Sequence, residues 1–182
     1  MLLREGRPLL AHLLDLAPRF ADTVLVTSTA APFARFGVRV VADVVPDRGA
    51  PGGVHAALVH AQTPWVLVVA ADMPFVSEAV VDLLLAHRRE GVDAVGIELD
   101  GRLEPLLACY RSRLAPAWGA ALDVSPSFRA LWQTFSACLL TRAELERVDP
   151  GCRAVVSINT PEAARANAIA LPQDGAPDPR SM

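Results

Sequence analysis

Hydrophobic and polar positions fall into blocks along this chain, and the blocks change period. The stretch "RPLLAHLLDLAP" (residues 7–18) carries leucines at helical spacing, with a proline near its first turn and another past its end, so it predicts a helix. "DTVLVTS" (22–28), "GVRVVAD" (37–43) and "WVLVVAAD" (65–72) are short apolar runs rich in β-branched residues, which predicts three strands. Between the last two lies "DRGAPGGVHAALVHAQ" (47–62), a glycine-rich turn running into a helix. A further helix is predicted over 77–89, with Ser77 as its N-cap, Arg88 and Arg89 in its last turn and Gly91 ending it. "DAVGIEL" (93–99) and "EPLLACY" (104–110) read as strands, followed by helices near 111–122 and 127–134. "RAVVSIN" (153–159) reads as a last short strand, before a helix opened by Thr160-Pro161. Strands alternating with helices predict an α/β fold, a mostly parallel Rossmann-like sheet covered on both faces.

The continuous apolar runs end in acids, and that gives the pattern chemical interest. Asp43 closes one predicted strand and Asp72 another. In an open parallel sheet ligands sit beyond the carboxyl ends of the strands. Two carboxylates there suit a hard cation such as magnesium, which takes oxygen ligands and bridges to phosphates. The same acids also suit a plainer role, capping the next turn or helix. Gly52 and Gly53 allow a close backbone approach to a ligand, or serve an ordinary turn. "RGAPGGV" is neither a P-loop nor GxGxxG. His55 and His60 lie five apart, a poor spacing for a shared metal on one helix, and His12 and His87 suit packing or solvent.

Composition narrows the classes. A chain of 182 residues favours one domain with a real core, expected here over 1–170, and the proline-rich tail 171–182 is expected to be disordered. A net charge of −3 gives no footprint for nucleic acid. No apolar run reaches the roughly 18 residues of a membrane span, and "MLLREGRPLLAHLL" does not read as a signal peptide. Cys109, Cys138 and Cys152 have no metal or disulfide spacing, which fits reduced, cytoplasmic thiols. All 17 basic residues are arginine, so no lysine can serve as base, Schiff-base former or phosphate ligand. That also removes a response-regulator receiver, which needs a lysine and an early acidic pair.

Five stretches, in order, resemble the molybdenum cofactor guanylyltransferases (molybdopterin-guanine dinucleotide biosynthesis protein A) of the nucleotidyltransferase superfamily. They are "GRPLLAHLL", "VVADVVPDRGAPGGVHAAL", "VVAADMPFVS", "EPLLACYRS" and "INTPEAA", and the likeness covers about residues 2–166. The resemblance implies transfer of GMP from GTP to molybdopterin with release of pyrophosphate, using Mg2+. It implies that Asp72 binds magnesium and that Asp43 contacts the nucleotide. Thr27 would lie near the nucleotide, and Gly52 and Gly53 in the guanine-side turn. Asn159, Thr160 and Pro161 match a late Asn-Thr-Pro signature, with Ser157 where a second asparagine is common. GTP and molybdopterin are the implied partners, together with other molybdenum cofactor biosynthesis proteins or acceptor molybdoenzymes.

One departure is large. The family's N-terminal Leu-Ala-Gly-Gly loop, ending in Arg-Met-Gly-x-Asp-Lys, is not found here, nor is the strand before it. That strand lies inside the family's sheet, so a gap is expected between "DTVLVTS" and "WVLVVAA". Two explanations stand: a translation start upstream of Met1, or a degenerate paralogue that binds without transferring. A cytidylyltransferase for the same cofactor and a sugar-phosphate nucleotidyltransferase would share Asp72, although "GAPGGVHAAL" and "INTPE" look more like the guanylyl branch.

Overall fold

A computed structural model describes residues 3–124 and 127–170, so the predicted tail lies outside the described residues. The chain opens with a small antiparallel pair, β1 (Leu3–Arg4) and β2 (Arg7–Pro8), and α1 (Leu9–Leu14). Strands β3 (Val24–Val26) and β4 (Arg39–Val41) pair in parallel. Helix α2 (Gly49–Val59) leads to β5 (Trp65–Val69), and α3 (Glu78–Ala86) to β6 (Ala94–Leu99) and β7 (Arg102–Arg111). Helices α4 (Ala115–Val124) and α5 (Phe128–Trp132), strand β8 (Ala137–Leu140), α6 (Arg142–Glu146) and α7 (Pro161–Ala166) complete the order.

The main sheet has the order β5-β7-β6-β8. Strand β7 is antiparallel to both β5 and β6, and β8 is parallel to β6, so three strands run one way and β7 alone opposes them. The reversal comes from Asp100-Gly101, both at positive φ (53° and 76°), which close a two-residue hairpin between β6 and β7. Gly96 lies at an irregularity in the β6–β7 ladder, and a Cβ there would stand 2.3 Å from Cη2 of Trp132.

Helices cover both faces. Val80, Val81 and Leu84 of α3 pack with Val95, Ile97, Leu107 and Cys109 on one side. On the other, Val54 and Leu58 of α2 join Tyr110, Trp118, Leu122 and Trp132. Ser77 caps α3, accepting the Val80 N–H at 3.4 Å, as its sequence position predicts. Among the described residues no helix is long and apolar enough to cross a membrane.

Two predicted features differ. "RAVVSIN" is not a strand: Arg153–Val155 is a 3-10 turn. Three of its donors are taken outside any ladder: the Ala154 N–H on Asp149 Oδ2 at 2.7 Å, the Val156 N–H on the Arg153 carbonyl at 3.0 Å and the Ile158 N–H on the Asp72 carbonyl at 2.8 Å. The sheet's edge is instead β8, which the residue pattern does not announce. The expected gap between "DTVLVTS" and "WVLVVAA" is present: among the described residues β3 pairs only with β4 and β5 only with β7.

Candidate active site

Asp72 stands just beyond β5, in a turn where the Met73 N–H donates to the Ala70 carbonyl at 3.1 Å. Met73 is buried in the core below α3, which anchors the turn and leaves Asp72 half-buried. The late segment grips this acid twice. The Ser157 hydroxyl donates to Asp72 Oδ2, and the Ile158 N–H donates to the Asp72 carbonyl oxygen. Among the described residues Asp72 Oδ1 makes no hydrogen bond or ion pair. Asn159 and Thr160 follow directly and are exposed, and the Thr160 hydroxyl caps α7 by accepting the Ala163 N–H at 3.1 Å. The "ADMPF" and "SINTP" segments, far apart in the chain, therefore form one surface.

A second cluster lies by β3 and β4. Asp43 sits two residues past β4, and its Oδ1 is 3.9 Å from where a Cβ on Gly53 would stand; Val26 Cγ1 is 4.0 Å from the same point. Thr27 follows β3, donating its N–H to the Val41 carbonyl and accepting the Thr29 N–H on its hydroxyl at 3.2 Å. The glycines differ from the expected turn. Helix α2 already begins at Gly49, so Gly52 and Gly53 lie inside it. The Gly52 N–H donates to the Arg48 carbonyl at 3.4 Å and is not free for a ligand. A Cβ at Gly52 would also press on Arg48 Cβ at 2.8 Å, so that glycine serves helix packing. Gly53 faces Asp43 with ordinary space to spare.

The residues present suit a divalent cation of the kind magnesium represents. Such an ion is held by one or two carboxylates, with phosphates and water completing its shell. Asp72 offers one oxygen fixed by Ser157 and one left available. Among the described residues no three His, Cys, Asp or Glu side chains converge, which is not the donor set of a closed protein cage.

Sequence reasoning missed the side chains beside this acid. Arg153 lies 4.1 Å from the centroid of the Phe75 ring and Arg4 lies 5.0 Å from it. Arg4 also donates to the Pro74 carbonyl at 2.9 Å. These guanidiniums flank Phe75 and Pro74, in the segment that carries Asp72. The one sequence signal for them is the uniform use of arginine. Elsewhere burial pushes the Cys109 thiol up to about 12 and also raises that of Cys152. Burial likewise raises Glu104, with Arg102 partly opposing it.

The profile of the MobA-like NTP transferase domain matches residues 1–138. The chain belongs to the MobA-like NTP transferase domain family. A probable molybdenum cofactor guanylyltransferase from Chloroflexus aggregans is 33% identical over 164 residues, 81% of this chain and 72% of that protein. Another so named, from Clostridium perfringens, is 32% identical over 92 residues, and the match spans 50% of this chain and only 46% of that protein. Among solved structures, molybdopterin-guanine dinucleotide biosynthesis protein A from Archaeoglobus fulgidus superposes with a TM-score of 0.77 at 26% identity, covering 90% of this chain and 85% of that one.

Proposed function

We propose that this chain transfers GMP from GTP to molybdopterin, forming molybdopterin guanine dinucleotide and pyrophosphate. The observation that carries the reading is Asp72 beyond β5, held by Ser157 and Ile158 beside Asn159 and Thr160, on a chain of this family. A phosphate oxygen of the pterin attacks the α-phosphorus in line. The bond from that phosphorus to its bridging oxygen breaks, and pyrophosphate leaves with the electron pair. Reactions of this kind rest on positioning and on neutralising charge.

Each residue then has a task. Asp72, with Asp43 as a second carboxylate, would hold Mg2+, which supplies Lewis-acid neutralisation of phosphate charge. Ser157 orients the Asp72 carboxylate. Arg153 and Arg4 face the phosphates in place of a lysine, and a guanidinium fork suits phosphate oxygens. Thr27, Asp43 and Gly53 border the nucleotide, and Asn159 and Thr160 the pterin side. Passing the product to an acceptor molybdoenzyme belongs to the same reading.

The test is direct. Incubation of the chain with GTP, Mg2+ and molybdopterin should yield the dinucleotide and pyrophosphate, followed by mass spectrometry, with CTP giving little. A second reading, nucleotide binding without transfer, is favoured by the gap between β3 and β5. Saturable GTP binding with no product would select it over the first.

A further inference from the structure

Among the described residues two polar side chains are buried outside the aromatic and thiol groups, Glu104 and His55. Glu104 has a partner, with Arg102 Nε 3.1 Å from its Oε1. His55 is only 6% exposed, and its ring makes no hydrogen bond or ion pair among the described residues. Its Nδ1 is sealed from solvent without a partner, whereas Nε2 is not sealed in this way. Buried polar groups are nearly always satisfied, so the exception calls for a cause. A second histidine supplies the contrast. His87, at the end of α3, sets its Nδ1 on the carbonyl one turn back, that of Leu83, at 2.8 Å. At His55 the equivalent carbonyl is that of Pro51, and it already accepts the indole N–H of Trp118 at 3.0 Å. The ring turns toward α4 instead. A Cβ on Gly119 would stand 2.8 Å from Nε2, so only a glycine there leaves the ring its place.

His55 lies on the wall of an open cleft of about 690 Å³. The cleft is at the far margin of the sheet from Asp72. Ser112, on its wall, donates its N–H to the carbonyl of Pro64, just before β5, whereas Asp72 lies beyond the end of that strand. Leu58, Val59 and Pro116 give the cleft apolar walls. Ser112 and Arg113 add donors. The Ser112 hydroxyl is half-buried and makes no hydrogen bond among the described residues. Arg113 sets Nε and Nη2 on Asp93 Oδ1 at 3.2 and 2.7 Å, which leaves Nη1 without a partner among the described residues. Pro116 also belongs to the first turn of α4, a helix of 10 residues, so the positive end of its dipole opens on the same cleft.

We propose that this cleft binds a carboxylate borne on an apolar group, its oxygens on His55, Ser112 and Arg113 and its apolar body on Leu58, Val59 and Pro116. The volume is that of a small-molecule site and exceeds what a single ion needs. The imidazole, the hydroxyl and the guanidinium can all donate, so the occupant is one that accepts. With Nδ1 sealed, the proton that the ligand meets is the one on Nε2. Charge narrows the class. Asp93 already offsets Arg113, so the wall suits one negative charge better than two, a carboxylate better than a phosphate dianion. Occupancy gives the His55 ring the acceptor that Trp118 took from it. A free organic acid and the C-terminal residue of a polypeptide share this chemistry. The site is separate from the transfer reading, since it neither includes nor touches Asp72.

The test uses the full 182-residue chain and hydrocinnamate, with the neutral hydrocinnamide as control. The carboxylate should bind saturably at millimolar concentration or below and raise the melting temperature. Proton–nitrogen NMR of the histidine rings should show the change at Nε2 of His55. The amide should do neither. His55→Phe keeps the packing, removes both ring nitrogens and should weaken binding by at least about tenfold, the loss of a hydrogen bond to a charged group. Ser112→Ala alters a half-buried hydroxyl, should leave the melting temperature of the free chain unchanged and should bind several-fold more weakly, which separates loss of the site from loss of the fold. Equal binding by the amide overturns the proposal, as does unchanged affinity in the two variants. A peptide ending in Leu-Phe with a free carboxylate identifies the source: tighter binding than hydrocinnamate assigns the cleft to polypeptide ends, and weaker binding assigns it to free acids.

Discussion

The hydroxyl of Ser157 donates a hydrogen bond to the carboxylate of Asp72, joining positions 85 residues apart. The bond leaves one carboxylate oxygen committed and the other available. It makes the last loop before α7 part of the same site as the turn after β5.

Removing the charge of Asp72 should stop the chemistry and spare the fold. Asp72→Asn keeps the size and can still accept from Ser157. Turnover of GTP should fall by at least about a hundredfold, the cost of losing a main electrostatic stabiliser, with the melting temperature little changed. Near-normal turnover would return Asp72 to a capping role.

Ser157→Ala takes away the donor and leaves Asp72 free to rotate. A hydrogen bond to a charged group contributes about 1.5–3 kcal/mol, so kcat should drop roughly tenfold or more, while KM for GTP holds within about twofold. Ser157→Thr keeps the hydroxyl and should restore most of the rate. A rate that tracks melting temperature in both variants would mark the bond as structural only.

At Gly53 the space beyond the missing Cβ is ordinary contact distance, 3.9 Å to Asp43 and 4.0 Å to Val26. Gly53→Ala should therefore be tolerated, and even gain up to about 1 kcal/mol of helix stability. Gly53→Val reaches further toward Asp43. It should weaken GTP binding by more than its effect on melting temperature, read by calorimetric titration beside a thermal melt. Parallel losses in both would tie the glycine to the fold alone.

Glu104 makes the stability of the protein depend on pH. Burial raises its pKa in the folded state, so the folded chain holds the proton more tightly than the unfolded chain. Its contribution is fully present below the unfolded value, near 4.5, and is lost as pH rises through the folded value. Glu104→Gln should remove that loss, giving a higher melting temperature at neutral pH and a flatter profile above the unfolded value. An unchanged profile in the variant would show that the carboxyl titrates normally.

Much of this architecture was legible in the residue pattern because its causes are local. Leucine spacing marked α1, and the β-branched runs marked β3, β4 and β5. Ser77 and Thr160 announced the helices they cap, since a hydroxyl reaches only its own first turn. Asp72 and Asn159 drew notice singly, through where they fall in the pattern. The Asp100-Gly101 turn that reverses β7 was written there too, although the alternation of elements suggested parallel strands. Other features had no local cause. Strand β8 has four residues, too few for a period, and exists because β6 offers it an edge. "RAVVSIN" has strand composition but lies where Asp149 and Asp72 take its donors first. The Ser157–Asp72 contact depends on which distant segments meet. Periodicity reports which face of an element is apolar, and only the packed chain decides what that face meets.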